Sequence, residues 1–248
     1  MILGFVILFS LLIGSFLNVC IYRIPREESI SYPPSHCVNC GSRIKLYDLI
    51  PIISYLFLGG RCRNCKSRIS IEYPVIEFIT AVIFLMIYIN YGLSFEFIKY
   101  SILTAFMIVI GMIDYKTTDV YFKISISAII TGIIFTVIGK YLGSGILEYI
   151  YGAALGGGII TLIILITKGM GWGDAEICTI CGLFLGFRLT MLLLFLSFII
   201  GGATGVILIL LKKKSPRDYI PFGPSIALAS VITVIFGERI LSWYFSLF

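Results

Sequence analysis

Long apolar runs, broken by short polar stretches, set the pattern of the chain. "GIITLIILIT" (158–167) and "LTMLLLFLSFIIGGATGVILILL" (189–211) carry no charge at all. A helix of about 20 apolar residues crosses a bilayer. A membrane β-barrel would instead alternate apolar and polar residues over about ten positions, and these runs do not alternate. They predict helices over 2–21, 74–91, 97–113, 121–139, 146–167, 175–187, 189–211 and 223–247. The sixth is short enough to be tilted or half-spanning. The predicted fold is an all-α polytopic membrane protein of about eight transmembrane helices.

Composition agrees: 59% of residues are hydrophobic, 13% are charged, and the mean hydropathy is +1.05. A secretory signal would place its basic residues ahead of the apolar core. Here none precede residues 2–21, and Arg23 and Arg26 follow. That reads as a retained first helix with its N-terminus outside. Eight helices then put 22–73, 114–120, 168–174 and 212–222 on one side. With Lys123 at its loop's flank, that side holds 15 of the 19 Lys and Arg residues. Basic residues accumulate in the cytoplasm, so these segments are expected there. The net charge of +6 is thereby a topology signal. Nucleic-acid binding would want stacking aromatics in a basic groove, and the basic loops show none.

The sizeable hydrophilic segment, 22–73, carries "CVNC" at 37–40 and "CRNC" at 62–65. Two C-x-x-C pairs suit tetrahedral zinc, with Cys37, Cys40, Cys62 and Cys65 as thiolate ligands. Two disulfides or free thiols are the alternative, and a cytoplasmic location disfavours disulfides. A closed four-cysteine site is structural, holding a segment too small for a core of its own. His36 adjoins Cys37, but the tetrahedron is already full. Cys20, Cys178 and Cys181 fall in apolar runs and read as packing residues. The expected organisation is a first helix (1–21), a cytoplasmic zinc domain (22–73) and a membrane domain (74–248).

Five aspartates occur in the chain. Asp114, in "GMIDYKTTDVY", follows the third helix, and Asp174, in "GMGWGDAE", follows the fifth. Both helices run inward, so the two acids are expected at the same cytoplasmic membrane edge. Two carboxyls at one poorly solvated site share a proton more easily than both ionise. One then acts as base on a water while the other polarises a peptide carbonyl. Gly171 and Gly173, lacking Cβ, would let a substrate strand or a neighbouring helix approach. The plainer readings stay open: Asp174 capping a helix, and Asp114 pairing with Lys116 or capping the next helix.

Together these residues resemble the type IV prepilin peptidases, polytopic aspartic proteases of the bacterial inner membrane. "GMGWGD" resembles the family's G-x-G-D motif, and "IDYKTTDVY" its first aspartate motif, with Asp114 rather than Asp119 as the acid. "GSFLNVCIYRIP" (14–25), the paired C-x-x-C, "RISIEYPVIE" (68–77) and "PFGP" (221–224) resemble further family elements in the same order. The resemblance implies cleavage of prepilins or pseudopilins at a short basic leader, and membrane lipid as the surroundings. It also implies methylation of the new N-terminus with S-adenosylmethionine, for which Gly14, Ser15, Asn18, Arg23 and Glu77 are candidates by motif. Their alternative is helix packing and capping around the zinc segment. Two departures stand out. Tyr121 and Phe122 occupy positions where the family usually has Pro followed by Asn or Asp. Glu176 stands where Lys is common, and an added carboxylate could alter the field on Asp174. A transporter or channel with membrane-edge acids is the competing class; an assembly scaffold is a third.

Overall fold

The computed structural model describes residues 2–213, 215 and 220–247. Lys214, Arg217 and Asp218 of the last basic loop lie outside the described residues. Eight α-helices are present: α1 (Ile2–Arg23), α2 (Ile53–Phe57), α3 (Glu72–Tyr91), α4 (Phe95–Thr117), α5 (Phe122–Tyr141), α6 (Ile146–Thr167), α7 (Trp172–Leu210) and α8 (Gly223–Phe245). Two 3-10 turns, Ile24–Arg26 and Leu46–Leu49, lie between α1 and α2. Among the described residues there is no strand, only two isolated bridges. All helices but α2 are long and apolar enough to cross a membrane. The protein is an all-α, multi-span membrane protein.

The predicted helices recur with ends shifted by four residues at most, except that the sixth and seventh are one hydrogen-bonded run, α7. Straight, its 39 residues would extend about 58 Å, nearly twice the ~30 Å hydrocarbon layer. It is not straight. A Cβ placed on Gly156 would touch both the Cys178 backbone and Thr190 Cγ2, residues about 18 Å apart along a continuous helix. The reversal falls at Gly186, whose φ of 77° and ψ of 176° only glycine adopts readily. α7 is therefore a helical hairpin with arms 172–185 and 187–210, and the chain has eight membrane-directed segments.

The chain divides into two compact units, Met1–Gly92 and Leu93–Phe248. In the first, α1 and α3 lie backbone to backbone: a Cβ on Gly14 would sit 2.7 Å from the Glu77 Cα. Asn18 extends the contact by donating to the Tyr73 carbonyl at 3.0 Å. Between Ile24 and Val75 only Pro51 is buried, so the connecting segment has no apolar core.

In the second unit, Ser94 caps α4 by accepting the Phe97 amide at 3.2 Å. α6 meets α7 along a glycine seam in which Gly152, Gly156 and Gly157 face Gly182, Cys178 and Thr179. Small residues let membrane helices approach in this way. α8 packs on α4 at Gly111–Ala227 and on the second arm of α7 at Gly237–Leu189. One basic residue in this unit is deeply buried. Lys99 donates to the Tyr149 hydroxyl at 3.3 Å and lies against the rings of Tyr100 and Tyr149, a cation–π setting that lowers the cost of burial.

Candidate active site and metal centre

Asp114 and Asp174 are 3% and 4% exposed. Both were expected just outside their helices. Asp114 is instead in the last turn of α4, and Asp174 in the first turn of α7. The start of α7 leaves backbone N–H groups unpaired, and Asp174 Oδ2 reaches back to accept from the Gly171 amide at 3.2 Å. The capping role is thus real, and it occupies one oxygen. Asp114 Oδ2 likewise accepts one backbone donor, the Gly223 amide at the start of α8, at 2.9 Å. No hydrogen bond to either Oδ1 occurs among the described residues.

Packing explains why these acids approach. Met107 Sδ and Cys181 Sγ touch at 3.5 Å in the core. Asp114 lies seven residues beyond Met107, and Asp174 seven residues before Cys181. Seven residues are about two turns, so each acid shares the face of its sulfur. Phe95, at the other end of α4, stacks through Phe135 onto Phe184, so α4 and the first arm of α7 run in opposite directions. The two carboxylates therefore lie at the same end of this pair.

The glycines divide. Gly171 supplies an amide. Gly173 does not hold room open for a substrate, because a Cβ there would stand 2.5 Å from Val120 Cγ2; it admits the α4–α5 link beside the helix start. Gly223, the glycine of "PFGP", has a role that its motif does not announce: its amide holds Asp114, and a Cβ there would meet Asp114 Oδ2 at 2.5 Å. Glu176 is two residues from Asp174, a spacing that turns the side chains to different faces. Phe122 begins α5, with Tyr121 as its N-terminal boundary.

In the first unit, Cys37, Cys40, Cys62 and Cys65 place their Sγ atoms within 4.8 Å of one another. Four thiolates about 2.3 Å from one metal stand about 3.8 Å apart in a tetrahedron, and Cys37 Sγ is 3.8 Å from Cys65 Sγ. The cluster can hold a metal ion. The two knuckles are one device used twice, which the repeat C-x-N-C-x-S ("CVNCGS", "CRNCKS") could have announced. The Cys37 amide bonds the Ser42 carbonyl at 2.9 Å, and the Cys62 amide the Ser67 carbonyl at 2.8 Å. Gly41 and Lys66 both take positive φ, 68° and 59°. Hydroxyls of Ser42 and Ser67 lie 3.0 and 3.1 Å from Cys40 and Cys65 sulfurs. The Ser67 hydroxyl, followed by its amide, draws the Cys65 thiol down to about 6, and the Cys40 and Asn39 amides lower that of Cys37. Both shifts favour the thiolate that a metal requires. His36 turns instead to the Pro34 carbonyl, 3.1 Å from Nδ1.

Arg63, inside the second knuckle, forms a two-bond pair with Asp48 at 2.9 and 2.7 Å. The guanidinium keeps the Asp48 carboxyl below its ordinary range.

A cavity of about 430 Å³ separates these knuckles from the ends of α1 and α3. Ser15, Asn18, Arg23 and Glu77 border it on the helix side, and Cys37 and Cys62 on the other. The motif residues are brought together, yet most of their polar atoms are engaged. Arg23 donates to the carbonyls of Ser29, Ile30 and Pro33. Glu77 accepts from the Ile52 amide at 2.7 Å. Gly14 is a contact point, not a lining residue.

Comparison with known proteins covers both units. Residues 8–91 match the family described as bacterial peptidase A24 N-terminal domain, and residues 101–206 match the type IV leader peptidase family. The chain is 30% identical over 270 residues to the prepilin leader peptidase/N-methyltransferase of Aeromonas salmonicida (strain A449), covering 97% of this chain and 93% of that protein. It is 30% identical over 246 residues to the protein of the same name from Bacillus subtilis (strain 168), covering 98% and 97%. It is 31% identical over 257 residues to that of Pseudomonas putida, covering 93% and 89%. No solved structure matches the chain.

Proposed function

The chain belongs to the type IV leader peptidase family, and on that premise we propose that Asp114 and Asp174 are its catalytic dyad. The protein cleaves prepilins and N-methylates the new N-terminus, two activities in one chain. One observation carries the dyad reading: two buried carboxylates stand at the same end of α4 and the first arm of α7, each tied through one oxygen to a backbone amide. The remaining oxygens are then available to water and substrate. One carboxylate takes a proton from the water as its oxygen bonds to the scissile carbonyl carbon. The other, protonated, gives its proton to the carbonyl oxygen. Collapse of that adduct breaks the C–N bond: the leaving amine receives a proton from the first acid, and the second carboxylate takes one back from an adduct hydroxyl. A transporter reading is not favoured, because its acids would more often sit near mid-bilayer.

The metal in the four-cysteine cluster is proposed to be zinc, with a structural role. The 3.8 Å sulfur spacing supports a closed tetrahedral site without a reactive position. S-adenosylmethionine is proposed to occupy the 430 Å³ cavity, a size ordinary for small-molecule sites. When bound it supplies the methyl group. Ser15, Asn18, Arg23 and Glu77 act as positioning residues that shape that cavity, and Gly14 lets α1 and α3 close behind it. The substrates are proposed to be prepilins or pseudopilins with short basic leaders. The bacterial inner membrane, with acids and cysteines on its cytoplasmic side, is proposed from the basic bias of the loops.

Co-expression of a prepilin with wild type, Asp114→Asn and Asp174→Asn tests the dyad. Each variant should lower leader removal by about 10²–10⁴-fold. Normal processing by either variant refutes the assignment. Metal analysis should return one zinc per chain.

A further inference from the structure

The segment between the 3-10 turn at Leu46 and the end of α2 is strongly apolar, yet the structure leaves it bare. Leu46 is 82% exposed, Leu56 71% and Phe57 86%, with Tyr47 and Ile53 more than half exposed. A water-facing loop rarely carries such a patch, and one this contiguous marks an interaction surface.

Its depth is fixed by a buried bond. The Ile52 amide donates to Glu77 Oε2 at 2.7 Å. Glu77 lies five residues, about 7.5 Å, beyond the start of α3, a helix whose 20 residues match the ~30 Å hydrocarbon layer. On α1 the same level is marked by Gly14 and Ser15, about 12 Å before the helix ends at Arg23. The segment is therefore drawn down between the levels of the helix ends. Ile52 is held at φ 60°, ψ −52°, a conformation costly for a β-branched residue. Such backbone persists where its surroundings over-determine it.

Charge frames the patch. Lys45 and Arg61 are exposed at its two ends, and Lys66 and Arg68 follow. Asp48, the single acid between Lys45 and Arg68, is paired with Arg63. An apolar stretch edged by exposed cations is what the headgroup–acyl boundary of an anionic bilayer accepts.

We propose that residues 46–58 are an interfacial anchor: Leu46, Tyr47, Ile53, Leu56 and Phe57 insert into the bilayer that α1 and α3 cross, with Lys45 and Arg61 on anionic headgroups. The anchor seats the cavity at the membrane surface and is independent of which reaction the cavity serves.

The test is Phe57→Trp in a Trp172→Phe, Trp243→Phe background, full chain, in nanodiscs containing brominated lipids. The Phe57 ring is free of the fold, so the exchange is tolerated. The introduced indole should be quenched most by bromines about 5–10 Å below the headgroups. Adding Glu77→Ala, which cuts the tie, should move it outward. Quenching should be stronger in phosphatidylglycerol discs than in phosphatidylcholine discs, and Lys45→Gln with Arg61→Gln should remove that difference. An indole quenched by aqueous iodide but not by bromolipid overturns the proposal. So does one that leaves water only when an apolar helical peptide is added, which would make the patch a protein-docking surface. Equal quenching in both lipids overturns the electrostatic part.

Discussion

Asp174 shows how a residue can hold a cap and an acid together. "GMGWGDAE" permitted either reading, and the structure assigns one carboxylate oxygen to the Gly171 amide, while the other takes no hydrogen bond among the described residues. The partner acid could be read from sequence because both motifs follow helices expected to run in the same direction across the membrane. The amide that holds Asp114 could not, because Gly223 is 109 residues away and no local pattern links the two. Gly223→Ala should therefore be a sharp probe. Its Cβ would stand 2.5 Å from Asp114 Oδ2, forcing the carboxylate aside. A displacement of about 1 Å can cost 10²-fold in rate, so kcat for leader cleavage should fall steeply with little change in KM. Glu176→Gln is the contrast. It alters a carboxylate that faces away from Asp174, and steady-state cleavage should stay close to wild type.

At the level of elements, hydropathy located every membrane helix, and the expected break between 175–187 and 189–211 falls within two residues of the turn at Gly186. What hydropathy did not show was the seam between α6 and α7. The informative signal lay in "GAALG" (152–156) and "GLFLG" (182–186), two G-x-x-x-G spacings that bring backbones together. Gly156→Ala and Gly182→Ala would drive a Cβ into the backbone of the partner helix. Overpacking of this kind costs about 1–3 kcal/mol, so both variants should lose thermal stability in detergent. Gly158→Ala, on the same helix, meets open space. It should leave stability unchanged or raise it by up to about 1 kcal/mol, since alanine gives up less backbone freedom on folding. Equal melting temperatures for all three would contradict the seam. The short α2 escaped the sequence reading because five residues carry too little periodicity to register.

Across the whole molecule, the two units differ in what holds them. Residues 93–248 contain the two acids, their amide donors and a packed helical core. The stretch between Ile24 and Val75 has one buried residue, Pro51. Its shape rests on the cysteine cluster, the Arg23 and Glu77 ties, and the Arg63–Asp48 pair. The paired C-x-x-C made the four-cysteine cluster legible in sequence. Which helices the segment leans on was not legible, because hydropathy marks helices and is silent about their partners. Metal binding in such a coreless segment is part of its folding free energy. Cys62→Ser with Cys65→Ser should therefore strip the metal and make residues 27–72 sensitive to limited proteolysis. The cavity, walled on one side by Cys37 and Cys62, should lose its form with it. Mass spectrometry of the processed pilin would then find a free, unmethylated amine, while leader removal continues through Asp114 and Asp174. Methylation that survives metal loss would separate the cavity from the methyl donor, and cleavage that fails with it would mean that the dyad depends on the metal-bearing segment.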